Sequence, residues 1–283
     1  MGIMDNEKLF DSEYNYMEGN LLRSVLVNVN KRFHGYYAEN LSEAVTVFQE
    51  IICGFVQDEF FDGRTLEIGI GDSMSVHQAG IMDYLYHEQS QGRLSIINPF
   101  ERLPDGRYSE FKGYPNDWLP EDTYNAINRR VWDKARRALL TDVFVTGLNA
   151  ITYDGEIVST DGVGNRLAGI IYGPYKVVLI AGRNKIVKDI PAALDRIKNV
   201  AAPLNHYRHF SKHKIAGEKA KQNYGIYKFA ELPCVKLGRC VDCGSPMCTR
   251  HVTMLLSRNT GWGGGYSETE YTLSSSTKIS AAE

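Results

Sequence analysis

The sequence has no excess of charge of either sign: 32 Lys and Arg stand against 34 Asp and Glu, for a formal net charge of −2. A dedicated nucleic-acid binder would carry a basic patch and a positive balance, so that class is set aside. No apolar run approaches the roughly 18 residues needed to span a bilayer. Met1-Gly2-Ile3-Met4-Asp5-Asn6-Glu7 lacks a basic n-region and an apolar h-region, so no secretory signal is read there. Asn6 stands where a myristoylation motif wants Ser or Thr. These absences suggest a cytoplasmic chain. Cysteine is scarce, five in 283 residues, and in that compartment structural disulfides are not expected. No internal repeat is visible. The composition that remains, 43% hydrophobic and 23% charged, is that of a globular protein and argues against disorder.

Apolar periodicity divides the chain into four parts. Residues 1–40 are polar, rich in Tyr and Asn, with one apolar stretch from Leu21 to Val29, and read as an N-terminal arm and helix packed on the main body. Residues 41–210 read as one α/β domain. Leu41, Ala44, Val45, Phe48, Ile51, Ile52, Phe55 and Val56 recur at helical spacing, with Asn40 and Glu43 as a capping pair. Cys53 falls on this helix and reads as a core residue. Short strands are expected at Thr65–Ile68 and Ser95–Ile97, and a long loop, rich in proline and aromatics, between Glu101 and Pro120. Arg129, Arg130, Lys134, Arg136 and Arg137 read as the solvated face of the helix that follows. Asp142–Gly147 and Lys176–Gly182 read as buried strands, the latter suited to the middle of a parallel sheet. Two short strands are expected around Asp154-Gly155, and Pro191 opens another helix in its first turn. Strand and helix alternate from Thr65 to Ala201, which predicts a mostly parallel sheet with helices on both faces. Residues 211–258 form a cysteine-containing extension, and 259–283 a Gly/Ser/Thr tail expected to be loosely ordered.

Three features carry chemistry. Cys234, Cys240, Cys243 and Cys248 have five, two and four residues between them, with Pro233, Gly238, Gly244 and Pro246 supplying turns. Thiolates suit zinc or an iron–sulfur cluster, and the lack of a long arm between paired knuckles leans towards a cluster wrapped by one loop. Reduced thiols with no metal are the alternative. Gly69, Gly71, Asp72 and Ser73 form a glycine turn between strand and helix that could hold an anion on backbone N–H groups, or could merely close strand onto helix. Its third glycine is missing, and Asn98 stands where a ribose-binding acid belongs, so no nucleotide cofactor is predicted. Finally, Asn149, then Asp161, Gly162, Gly164, Asn165 and Arg166, then Asn184 and Lys185 each follow a predicted strand. In open α/β sheets ligands bind at the carboxyl ends of strands. Arg166 could grip a carboxylate or phosphate bidentately, Lys185 act as a point charge, and Asp161 serve as a base. The competing reading is that these Asn and Asp side chains only shape turns.

The central motifs, Thr146-Gly147-x-Asn149-Ala150-Ile151-Thr152, Asp161-Gly162-x-Gly164-Asn165-Arg166, Gly173-Pro174, Asn184-Lys185-Ile186-Val187 and Ala201-Ala202-Pro203-x-Asn205, resemble the lactate-utilisation (LUD) domain family in order and spacing. The resemblance runs from about Leu41 to Arg208, and the cysteine segment is similar to the C-terminal extension of stand-alone members. It implies a fold like that of ribose-5-phosphate isomerase and the CoA transferases. It also implies a supporting role in the oxidation of lactate or another 2-hydroxy acid, beside iron–sulfur subunits. The leading expectation is a protein binding a small anionic metabolite. The alternatives are an isomerase or transferase using Asp161 and Lys185, and a non-catalytic subunit docking an iron–sulfur or other oxidoreductase partner. In one respect the chain departs from the family: Asp72 intervenes in the glycine turn, which would change the anion that turn accepts.

Overall fold

The structure is a computed structural model that describes residues 6–58, 61, 63–104, 107–114, 119–161, 164–205, 252–256 and 268–274. Seven α-helices are described: α1 (Asn6–Val29), α2 (Leu41–Gln57), α3 (Met74–Gln78), α4 (Ile81–Ser90), α5 (Glu121–Arg137), α6 (Asn165–Tyr172) and α7 (Ile190–Arg196). Ten strands accompany them: β1 (His34–Ala38), β2 (Leu66–Ile70), β3 (Leu94–Ile97), β4 (Val143–Gly147), β5 (Ala150–Thr152), β6 (Ile157–Asp161), β7 (Lys176–Gly182), β8 (Ile186–Val187), β9 (Val252–Leu256) and β10 (Glu268–Ser274). None of the described helices is long and apolar enough to cross a membrane.

The main sheet has the order β1-β10-β7-β4-β2-β3, and every neighbouring pair in it is parallel. Its central strands are buried on both faces, and the pleat divides their side chains cleanly. Val143, Val145, Val178 and Ile180 face one core, with Phe48, Ile51, Ile52 and Phe55 of α2 and Leu85 of α4. Phe144, Val177, Leu179 and Ala181 face the other, with Leu22, Val25 and Val29 of α1 and Leu167 and Ile170 of α6. The expected α/β class, with helices on both faces of a parallel sheet, is therefore what the chain forms. A third, aromatic core joins Phe100, with Tyr108, Phe111 and Leu119 of the long loop that follows it, to Ile127, Val131 and Ala135 of α5.

Local chemistry explains most element boundaries. Asn40 Oδ1 accepts from Glu43 N at 2.9 Å, which caps α2, and Glu43 Oε2 reaches back to accept from Glu39 N at 2.7 Å, one residue before the cap. Asp189 Oδ1 caps α7 through Ala192 N at 2.9 Å. The helical segment after the glycine turn is split where Gly80 adopts φ 74°, which sets α3 and α4 apart.

Four expectations are corrected. Cys53 is exposed and not in the core, because Phe48, Ile51, Ile52 and Phe55 centre the buried face and position 53 turns away from it. The strands around Asp154-Gly155 do not join the main sheet: β5 and β6 pair antiparallel and form a second sheet of order β8-β5-β6-β9. Residues 34–38, read as part of the arm, form an edge strand. Residues 268–274, read as loose tail, lie between β1 and β7; Thr269, Tyr271 and Thr272 are residue types favoured in strands.

Candidate functional site

Chain order in the main sheet reverses at β2. The chain passes from β2 to β3 on one side and then back to β4 on the other, and β7 lies beyond β4. The region outside the carboxyl ends of β2 and β4 is therefore a topological switch point, the crevice position of open α/β sheets. Gly71, Asp72 and Ser73 leave β2 there; Leu148 and Asn149 leave β4; Arg183, Asn184 and Lys185 leave β7 next door. The sequence thus brings its candidate loops to one edge.

The approach between these loops is close. A Cβ at Gly147 would run into Ser73 Oγ, and one at Gly71 would run into Thr146 Oγ1. Ser73 is buried, and the fully buried Thr146 hydroxyl has no partner among the described residues. Lys185 Nζ donates to Ser75 Oγ at 2.7 Å, which ties the β7 loop to α3 across the crevice. Arg102 Nη2 lies 4.0 Å from Asp72 Oδ1, so the acid that interrupts the glycine turn faces a cation from the long loop. Asn98 is buried and structural: its Nδ2 donates to Tyr86 Oη at 2.8 Å, and its Oδ1 accepts from Phe100 N at 3.0 Å. Burial pushes the Tyr86 hydroxyl above its ordinary pKa.

Asn149 is held from several directions. Its N–H donates to Ser159 Oγ at 3.1 Å, and its Oδ1 accepts from Thr160 N at 2.8 Å and Arg166 Nη2 at 3.1 Å. Two donors on Oδ1 fix the amide orientation. Its Nδ2 has no partner among the described residues and remains a donor for a ligand.

The remaining predicted residues sit as follows. Arg166 Nη2 also donates to the Thr160 carbonyl at 2.7 Å, so part of its fork braces β6 against the Asn149 loop. Asp161 Oδ2 accepts from Arg166 N at 2.8 Å and Leu167 N at 3.4 Å, the position of a carboxylate capping α6. Gly164, at φ 95°, is the residue before α6, and Asn165 is its first residue. Gly69 lies inside β2, one residue short of the strand end. Gly162, Cys234, Cys240, Cys243 and Cys248 lie outside the described residues. Among the described residues no group of three His, Cys, Asp or Glu is placed to hold a metal ion. Reading from sequence missed Ser75, Ser159 and Arg196; a lone Ser or Arg beside an apolar helix stripe gives no local sign of a distant partner.

Among solved structures, the chain is similar to a DUF162 family protein from Deinococcus radiodurans, at 11% identity and a TM-score of 0.27, covering 84% of this chain and 99% of that one. No curated protein matches. The family model of the LUD domain matches residues 27–216, about two thirds of the sequence and all of the switch-point crevice. The chain belongs to the LUD domain family.

Proposed function

We propose that the chain binds a small anionic metabolite in the switch-point crevice and, through it, supports the oxidation of lactate or another 2-hydroxy acid. The observation that supports this reading is the Lys185–Ser75 hydrogen bond, which joins the loop after β7 to α3, the helix entered from the β2 loop. Asn149 Nδ2 adds a neutral donor at the same edge. Binding is favoured over acid–base catalysis because the Asp161 carboxylate is taken up in capping α6. Lys185→Ala is expected to weaken the affinity for L-lactate or inorganic phosphate, read by thermal-shift titration, about tenfold, the scale of one charge-assisted contact. The melting temperature of the ligand-free protein should stay close to that of the native chain. Undiminished anion binding in the variant would remove Lys185 from the site. Turnover of a carbonyl or acyl substrate by the purified chain alone would support the isomerase or transferase reading instead.

We also propose that Cys234, Cys240, Cys243 and Cys248 converge on one metal centre, which would serve contact with an iron–sulfur or oxidoreductase partner. The support is the donor set: four thiolates within one short segment, separated by turn-forming Gly and Pro. Binding free energy at such a site is folding free energy for the segment that makes it. Anaerobically purified protein should carry zinc, or iron with the visible absorbance of a cluster, and Cys240→Ser should abolish it. Metal analysis finding neither element would sink this proposal.

A further inference from the structure

The loops after β4 and β7 come from different stretches of chain, and a single side chain from a third stretch holds both. Arg196, the last residue of α7, donates from Nε to the Asn184 carbonyl at 2.8 Å and from Nη1 to the Asn149 carbonyl at 2.8 Å. A guanidinium is a rigid planar fork, so two carbonyls bonded to one fork are fixed relative to each other. An ammonium on a flexible stem imposes no such spacing. The base of the fork is itself anchored: Asp189 caps the helix, and Ala193 and Ile197 are buried against Ala150 of β5 and Val158 of β6.

Both acceptors are neutral. Among the described residues no carboxylate pairs with Arg196. Burial pushes its guanidinium pKa below the ordinary value, as expected of a cation withdrawn from water without a counter-charge. Arg196 is half-buried, and partial withdrawal from water is costly for a cation without a counter-charge; an anion seated between the two loops would offset part of that cost.

We infer that Arg196 is the positioning residue of the anion site: it locks the Asn149 and Asn184 loops in register, and its uncompensated charge selects an anionic ligand over a neutral one. The selectivity half rests on the proposed anion binding, whereas the loop register stands apart from it.

The test uses the full-length chain with Arg196→Gln and Arg196→Lys. Hydrogen exchange reads the register. In Arg196→Gln the amides at 149–152 and 184–187 should lose protection together, while those of β2 keep theirs. Loss in one loop alone, or in neither, overturns the tie. Thermal-shift titration with L-lactate, inorganic phosphate and neutral lactamide reads the charge. Arg196→Gln should weaken both anions about tenfold, the scale of one charge-assisted interaction, and leave lactamide unchanged. Arg196→Lys should recover part of that loss at a similar cost in ligand-free melting temperature. Equal weakening of both anions in the Lys and Gln variants, or none in Gln, overturns the electrostatic role. A native chain stabilised by neither anion removes the selectivity half together with the binding proposal, and the exchange data then decide the register alone.

Discussion

Gly69→Ala is expected to lower the free energy of unfolding by about 3 kcal/mol, at the upper end of what overpacking a closed site costs. Gly69 pairs with Phe144 on β4 and Ile97 on β3, so its backbone is held from both sides. A Cβ there would collide with the Ala138 carbonyl oxygen and with Thr141 Oγ1. Neither can retreat cheaply. The Thr141 hydroxyl is buried and lies 2.9 Å from the Ala138 carbonyl oxygen and 3.0 Å from that of Val143, which closes the turn into β4. The obstacle is backbone, and no rotamer change clears it. A loss of that size should lower the melting temperature by roughly 6–12 °C in a chain of this length. Gly54→Ala is the matched control: its Cβ would meet nothing within 4 Å on α2, and helix propensity favours alanine there by about 1 kcal/mol. A Gly69→Ala protein melting with the native one would show that the turn at 138–141 yields more readily than its hydrogen bonds imply.

Gly69 also shows where sequence reading succeeds and where it stops. The motif Leu66-Glu67-Ile68-Gly69-Ile70-Gly71 suggested a ligand turn, yet one of its glycines serves the packing of the 138–141 turn against β2. Position in the chain was right; role was not legible, because the reason for the missing side chain lies some seventy residues away. Strands β4 and β7 were legible because continuous apolar runs signal burial on both faces. Helix α2 was legible because its stripe and its cap agree. Which sheet a strand joins was not. Strand β5 takes β8 as a partner and β6 takes β9, and those pairings depend on long-range register that no local pattern carries.

The candidate site follows the same division. Asn149, Asn184 and Lys185 were placed at strand ends by pattern alone, and the sheet does bring their loops to one edge. What each side chain holds is decided by contacts such as Lys185 with Ser75, 110 residues apart in the chain. The two arginines make the point most directly. Arg166 and Arg196 each lie beside an apolar helix stripe, yet Arg166 braces Asn149 through its side-chain oxygen and Arg196 through its carbonyl. Identical side chains in similar local patterns take different roles because the helices that carry them dock at different points on β5 and β6.

Asp142→Ala should cost about 2–4 kcal/mol, and the size of that loss turns on which partner is left stranded. Asp142 is buried at the entry to β4. Its Oδ2 accepts from Glu67 N at 2.9 Å and from Arg64 Nη1 at 3.0 Å, and its Oδ1 pairs with Arg64 Nη2. Its backbone extends the same junction, with N–H donating to Glu67 O at 3.0 Å and the carbonyl accepting from Lys176 N at 3.0 Å. One residue thus holds the amino ends of β2, β4 and β7 together. Arg64 is half exposed, so on losing the carboxylate it turns to water at little cost. The Glu67 N–H loses its side-chain acceptor among the described residues, and an orphaned donor carries the full desolvation penalty. Arg64→Ala leaves the buried carboxylate without its cation, held by the Glu67 N–H, and should cost about 1–2 kcal/mol, more than an exposed ion pair and less than Asp142→Ala. Denaturant unfolding of the two single variants and the double variant checks this directly. A loss in Asp142→Ala well beyond that in Arg64→Ala, with the double variant no worse than Asp142→Ala, supports the reading that the backbone bond carries most of the energy. Equal losses in the two single variants would assign it to the ion pair instead, and the Glu67 N–H would then have to find another acceptor once the carboxylate is gone.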